Sequence, residues 1–231
     1  MEKIVISGGS RGIGKALVEN LLQLGHTVFT LARSGRELSA LERQTADMPG
    51  HLFTAVFDME TGDFARLSDE IRAKLGSVSC VVNNAGLLIN KPFEKLSFRD
   101  VERVFRVNVL SVFPFVQMVL PFMTSGGHIV NITSMGGFQG SAKFPGLSAY
   151  SAAKGALSIL TESLSVELAQ KGIKVNALAL GAVQTEMLAA AFPGYHAPVT
   201  PEEMATFIAD FALNGHHYFN GKILPVSLSS P

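Results

Sequence analysis

The chain has 231 residues, 47% of them apolar and 16% charged, with Lys plus Arg and Asp plus Glu balanced at 19 each. That length and apolar share suit one compact α/β domain, residues 1–231, and exclude a disordered chain. A formal net charge of zero gives no general field to draw nucleic acid or an anionic membrane, and no apolar stretch approaches the roughly 20 residues that span a bilayer.

Recognition of phosphate must therefore be local. The chain opens on Lys3-Ile4-Val5-Ile6 without signal-peptide regions, and the lone Cys80, set in an apolar run, is a small buried thiol with no disulfide partner. Both features suit the cytoplasm. No metal ligand is assigned.

In chain order, short β-branched runs fall at residues 3–7, 27–31, 52–57, 78–83, 128–133, 173–180 and 223–226, with helix-length segments between them. Continuous apolarity, as in Ile4-Val5-Ile6 and around Val81-Val82, is what a parallel strand covered on both faces needs. These runs predict a doubly wound, Rossmann-like parallel sheet with helices on both faces. Its ligand crevice should lie where the winding reverses, at the carboxyl ends of strands.

After the first run comes Gly8-Gly9-Ser10-Arg11-Gly12-Ile13-Gly14, followed by a helical pattern from Lys15. Gly8, Gly12 and Gly14 let backbone approach a pyrophosphate, and the helix start beyond Ser10 and Arg11, with Ile13 inside it, offers unpaired N–H donors. The spacing, G-x-x-x-G-x-G, departs from the commoner dinucleotide fingerprint, so its placement after a strand carries the inference. After the second run, Arg33-Ser34 stands where an NAD enzyme carries an acid for the ribose hydroxyls. Arg33 and Arg11 can instead converge on a 2′-phosphate, which points to NADP(H). Asp58, after the third run, either meets the adenine edge or caps the next helix.

Asn83-Asn84-Ala85-Gly86 closes the fourth run, and Asn108, Ser134 and Tyr150-Ser151-Ala152-Ala153-Lys154 follow. In this order, and with the glycine turn, they resemble the short-chain dehydrogenase/reductase family over nearly the whole chain. Tyr150 and Lys154, spaced i,i+4, share a helix face, and a lysine charge there would lower the phenol toward the range of a general acid/base. The resemblance implies that Tyr150 exchanges a proton with a carbonyl or alcohol oxygen. It also implies that Ser134 donates to that oxygen, that Lys154 holds the nicotinamide ribose and that Asn108 holds a water behind it. On the same ground Asn84, Ala85 and Gly86 form the cofactor-side turn, and Thr185 lies near the carboxamide.

This chain departs from the family in several places. Ser134 and Tyr150 are further apart than expected, with the extra residues in Gly136–Ser148, where Phe138 and Phe144 either wall a pocket or pack. Leu180-Gly181 replaces Pro-Gly, and the tail Leu224–Pro231 lacks a glycine-rich, acidic ending. Ala189–Thr200 is expected to be an irregular lid, with Met187, Leu188, Phe192 and Tyr195 suggesting a partly apolar small-molecule carbonyl or alcohol substrate. Apolar surplus on the helices near 100–123 and 149–170 predicts a homodimer or homotetramer. The alternative function is an idle NADP(H)-binding redox sensor acting through a protein partner.

Overall fold

A computed structural model describes residues 1–228. Ser229, Ser230 and Pro231 of the tail singled out above lie outside the described residues. Seven strands form one sheet: β1 (Lys3–Ser7), β2 (Thr27–Ala32), β3 (His51–Val56), β4 (Val78–Asn83), β5 (Met123–Ser134), β6 (Lys174–Leu180) and β7 (Ile223–Val226). Their order is β3-β2-β1-β4-β5-β6-β7, and every pairing is parallel. The winding reverses between β1 and β4, so the two turns that follow these strands face one crevice.

The helices are α1 (Gly12–Gln23), α2 (Gly35–Gln44), α3 (Phe64–Leu75), α4 (Phe98–Phe105), α5 (Val112–Val119), α6 (Ser148–Glu167), α7 (Glu186–Ala191) and α8 (Pro201–Asn214). The sheet's two faces can be followed residue by residue along β1. Ile4 and Ile6 pack with α1 and α8 residues such as Leu17, Leu21, Ile208 and Ala209. Val5 packs on the other face with Ile71, Phe115, Val116 and Leu157 of α3, α5 and α6. Each fully buried aliphatic side chain there contributes about 1.5–3 kcal/mol, which is why the strands read as unbroken apolar runs.

Two expectations are corrected. The helical run Phe98–Phe122, 25 residues, is long and apolar enough to cross a membrane by length and composition. Charges near its start hid that length in the sequence, but its stripe Val112, Phe115, Val116 and Val119 is buried in the core beside α3 and α6. The second concerns the lid. Ala189–Ala191 complete α7, and Val199 bridges Val183 before Thr200 caps α8 through Glu203 N at 3.2 Å. Only residues 192–200 remain outside a helix.

Candidate active site

Gly8 adopts φ 77°, and a Cβ there would lie 2.9 Å from Ala85 Cα. At Gly14 a Cβ would come within 2.2 Å of Gly8 O and 2.5 Å of Asn84 Nδ2. Glycine is thus required because the turn after β1 packs directly on the turn after β4. Asn84 ties the two together, donating through Nδ2 to Ser7 O at 3.1 Å and Gly8 O at 3.0 Å. Ser7 Oγ accepts from the Asn84 and Ala85 amides, each at 3.1 Å. The Asn84 side chain therefore spends its donors on the scaffold.

No side chain caps α1 at Arg11, and its first turn, which includes Ile13, has no acid. Its amide donors and partial positive charge are left for an anion, which fits the pyrophosphate of a dinucleotide. Arg11 is engaged on both sides, by Glu37 Oε2 at 3.2 Å from its Nε and by Glu186 Oε2 at 3.2 Å from NH1. Ser10 Oγ donates to the same Glu37 oxygen at 3.0 Å. Neither glutamate emerged from the sequence, because the contacts join residues 27 and 175 positions apart. Arg33 is exposed and has no ion pair among the described residues, while Ser34 caps α2 by accepting from Glu37 N at 3.3 Å.

Of the two roles open to Asp58, the helix cap is excluded. Asp63 caps α3 through Ala65 N and Arg66 N, whereas Asp58 Oδ1 accepts from Glu60 N at 2.8 Å. Thr185 likewise caps α7, accepting from Leu188 N at 3.2 Å. Its Cγ2 lies 3.3 Å from where a Gly12 Cβ would stand, so it overhangs the glycine turn. Leu180, where the family has proline, stays in β6 paired with Val226, and Gly181 N continues the ladder to Val226 O at 2.9 Å.

Ser134 ends β5, and its Oγ accepts from Gly136 N at 3.2 Å. The longer connection to α6 is held by its own bonds. Ser141 Oγ donates to Met135 O and to Phe138 O, and Lys143 Nζ donates to Phe138 O at 2.7 Å. At its base, a Cβ on Gly137 would lie 2.5 Å from Gly155 N, so this loop packs backbone-to-backbone on α6 beside Lys154. Phe144 contacts Phe192 edge-on, centroids 6.4 Å apart, and lines an open cleft of about 490 Å³ with Pro92, Phe93, Pro145 and Ser151.

Tyr150 and Lys154 extend from the first two turns of α6. The Tyr150 ring packs against the buried cluster of Val104, Val109, Ala149 and Ala153, and the Ser134 side chain lies within reach of its hydroxyl. Lys154 is buried, donates through Nζ to Ile132 O at 2.8 Å and lies 5.7 Å from the Tyr150 ring centroid. Burial pushes the phenol up to about 12, partly offset by the Ser134 side chain, and pushes the lysine down to about 8. The expected lowering of Tyr150 by Lys154 is not found: desolvation dominates, and the ammonium serves a carbonyl.

Asn108, fully buried, sits in a π-turn (Arg106–Leu110), a backbone irregularity common at functional sites. It donates through Nδ2 to Leu87 O and Val104 O, both at 2.8 Å. Gly86 lies between this side chain and the lysine, since a Cβ there would be 3.1 Å from Asn108 Oδ1 and 3.6 Å from Lys154 Nζ. Ser134, Tyr150, Lys154, Gly86 and Asn108 therefore form one continuous polar cluster beside the switch point. It holds a hydroxyl, a phenol and a lysine amine.

Comparison with known proteins points the same way. The profile described as short chain dehydrogenase matches residues 2–196. The chain is 32% identical over 186 residues to the 3-oxoacyl-(acyl-carrier-protein) reductase FabG of Thermotoga maritima, covering 79% of this chain and 74% of that protein. It is 31% identical to the L-2,3-butanediol dehydrogenase of Corynebacterium glutamicum, covering 98% and 97%. A solved short-chain dehydrogenase/reductase from Serratia marcescens superposes with TM-score 0.88 at 28% identity, covering 98% of this chain and 96% of that one.

Proposed function

Because the chain belongs to the short-chain dehydrogenase family of oxidoreductases, we propose that it is an NADP(H)-dependent reductase of a small, partly apolar carbonyl compound, and the dehydrogenase of the corresponding alcohol. The observation that carries this is the convergence of Ser134, Tyr150 and Lys154 beside Gly86 and Asn108. A bound nicotinamide dinucleotide supplies the hydride. At neutral pH the phenol, at about 12, is protonated and the lysine, at about 8, is charged. Ser134 donates to the substrate oxygen as charge develops there, and Tyr150 delivers the proton that completes the alcohol.

Cofactor residues follow from the same crevice. The α1 start with Gly8, Gly12 and Gly14 takes the pyrophosphate, Lys154 the nicotinamide ribose, and Arg33 with Ser34 the 2′-phosphate. Asp58 is assigned to the adenine edge, Ala85 and Gly86 to the cofactor-side turn and Thr185 to the nicotinamide end. The apolar cleft at Phe93 and Phe144 favours a partly apolar substrate, as does exposure of Met187 and Tyr195 on the lid.

In this reading residues 1–231 act as one dinucleotide-binding unit in a reducing compartment such as the cytoplasm. Exposed Phe98, Leu110, Phe113, Ile159 and Val166 on the α4, α5 and α6 layer favour a homodimer or homotetramer. Nothing in the site favours the idle redox sensor. An NADPH-oxidation screen over mixed aldehydes and ketones tests the proposal, and a protein that binds NADPH yet turns over none of them would favour the sensor instead.

A further inference from the structure

The adenosine ribose of a dinucleotide lies outside the carboxyl end of β2, beside the turn that follows β1. In this chain that place is bordered by an acid. Glu37, in the first turn of α2, sets one oxygen, Oε2, 3.0 Å from Ser10 Oγ and 3.2 Å from Arg11 Nε. Two donors of the glycine turn thus share a single carboxylate oxygen, in the arrangement that a phosphate oxygen would adopt. The acid absent directly after β2 in sequence is delivered here five positions beyond Ala32 by the turn into α2.

Resting on the dinucleotide reading above, we propose that Glu37 sets the ratio of NADPH to NADH affinity. A ribose 2′-hydroxyl can donate to its carboxylate. A 2′-phosphate meets its negative charge and must compete with it for Ser10 and Arg11. Arg33, exposed and unpaired among the described residues, attracts the phosphate. Discrimination in the wild type is then the difference between these two effects. Glu186 holds the opposite side of the Arg11 guanidinium from the lid helix, with its side chain 73% exposed, and makes no contact with Ser10.

Dissociation constants for NADPH and NADH, measured by fluorescence titration on wild type, Glu37→Gln, Glu186→Gln and Arg33→Ala, test this. Glu37→Gln is close to isosteric, and its melting temperature serves as the folding control. It is expected to tighten NADPH by about tenfold or more and to weaken NADH a few-fold, in line with the worth of bonds to charged groups. Glu186→Gln is expected to leave the ratio within about twofold. Parallel changes for both cofactors in Glu37→Gln would show a scaffold role for the acid and overturn the proposal, and an equal ratio shift in Glu186→Gln would overturn it by tracing the effect to total charge at Arg11. Arg33→Ala tests the NADPH reading separately. If Arg33→Ala moves both cofactors alike and wild type prefers NADH, that reading fails while a ratio shift in Glu37→Gln still upholds the role of Glu37. A wild type that binds neither cofactor overturns both.

Discussion

Replacing Tyr150 by Phe removes one hydroxyl and leaves a ring that still packs against Val104, Val109, Ala149 and Ala153. The fold loses at most a polar contact with the Ser134 side chain, worth no more than about 1 kcal/mol. Catalysis should lose far more, because a positioned general acid contributes about 10²- to 10⁴-fold, or about 3–5 kcal/mol of barrier. With the phenol at about 12, carbonyl reduction finds its proton donor in the correct form at neutral pH. Alcohol oxidation needs the phenolate, which at pH 8 costs about 5 kcal/mol in this state. Log kcat/KM for oxidation should therefore rise by about one per pH unit between about pH 6 and 8, below the lysine's value, and Tyr150→Phe should lose that slope. The assay is steady-state kinetics in both directions with the best substrate from the carbonyl screen, alongside NADPH titration, in which the variant should bind nearly as wild type. Retention of a tenth or more of wild-type kcat, with chemistry rate-limiting, would refute the assignment.

Arg33→Ala should weaken NADPH by about 1.5–3 kcal/mol and leave NADH nearly unchanged, because the exposed guanidinium has only the 2′-phosphate to meet; equal losses would contradict this. His128 offers a pH test of stability, with Nδ1 3.0 Å from Ala212 O, Nε2 3.0 Å from Asn176 Nδ2 and burial pushing its pKa down to about 4. A neutral ring protonated on Nδ1 satisfies both partners. Between about 6.5 and 4 the unfolded chain takes up a proton that the native ring refuses, so stability falls as pH drops through that window, by about 2 kcal/mol at pH 5. Urea unfolding at about pH 7.5 and 5 should show this loss shrinking in His128→Gln, and an undiminished loss would count against it. Light scattering at micromolar concentration should give a dimer or tetramer, with Phe98→Asp plus Ile159→Asp shifting it toward monomer. A wild-type monomer would refute the interface.

The sequence alone determined much of this protein because its strands are buried on both faces. Apolar runs such as Ile4-Val5-Ile6 announce a parallel sheet, since no exposed face imposes alternation. All seven runs became strands, within a residue at most ends; β5 alone departs by more, starting at Met123. The glycine turn was legible for a local reason too, as its spacing and its place after a strand are properties of one short segment. Tyr150 and Lys154 were paired by the ordered motifs that carry the family resemblance, and their i,i+4 spacing put them on one helix face.

Tertiary structure decided what depends on distant partners and on burial. It spent Asn84 on the scaffold, gave Asp58 a turn and Asp63 the helix cap, and brought Glu37 and Glu186 to Arg11 across 26 and 175 positions. It also reversed the expected direction for the Tyr150 phenol. A neighbour four residues away can be counted in a sequence, but the desolvation of a ring depends on the cluster of Val104, Val109 and Ala153 that it packs against, and only the folded chain brings that cluster there.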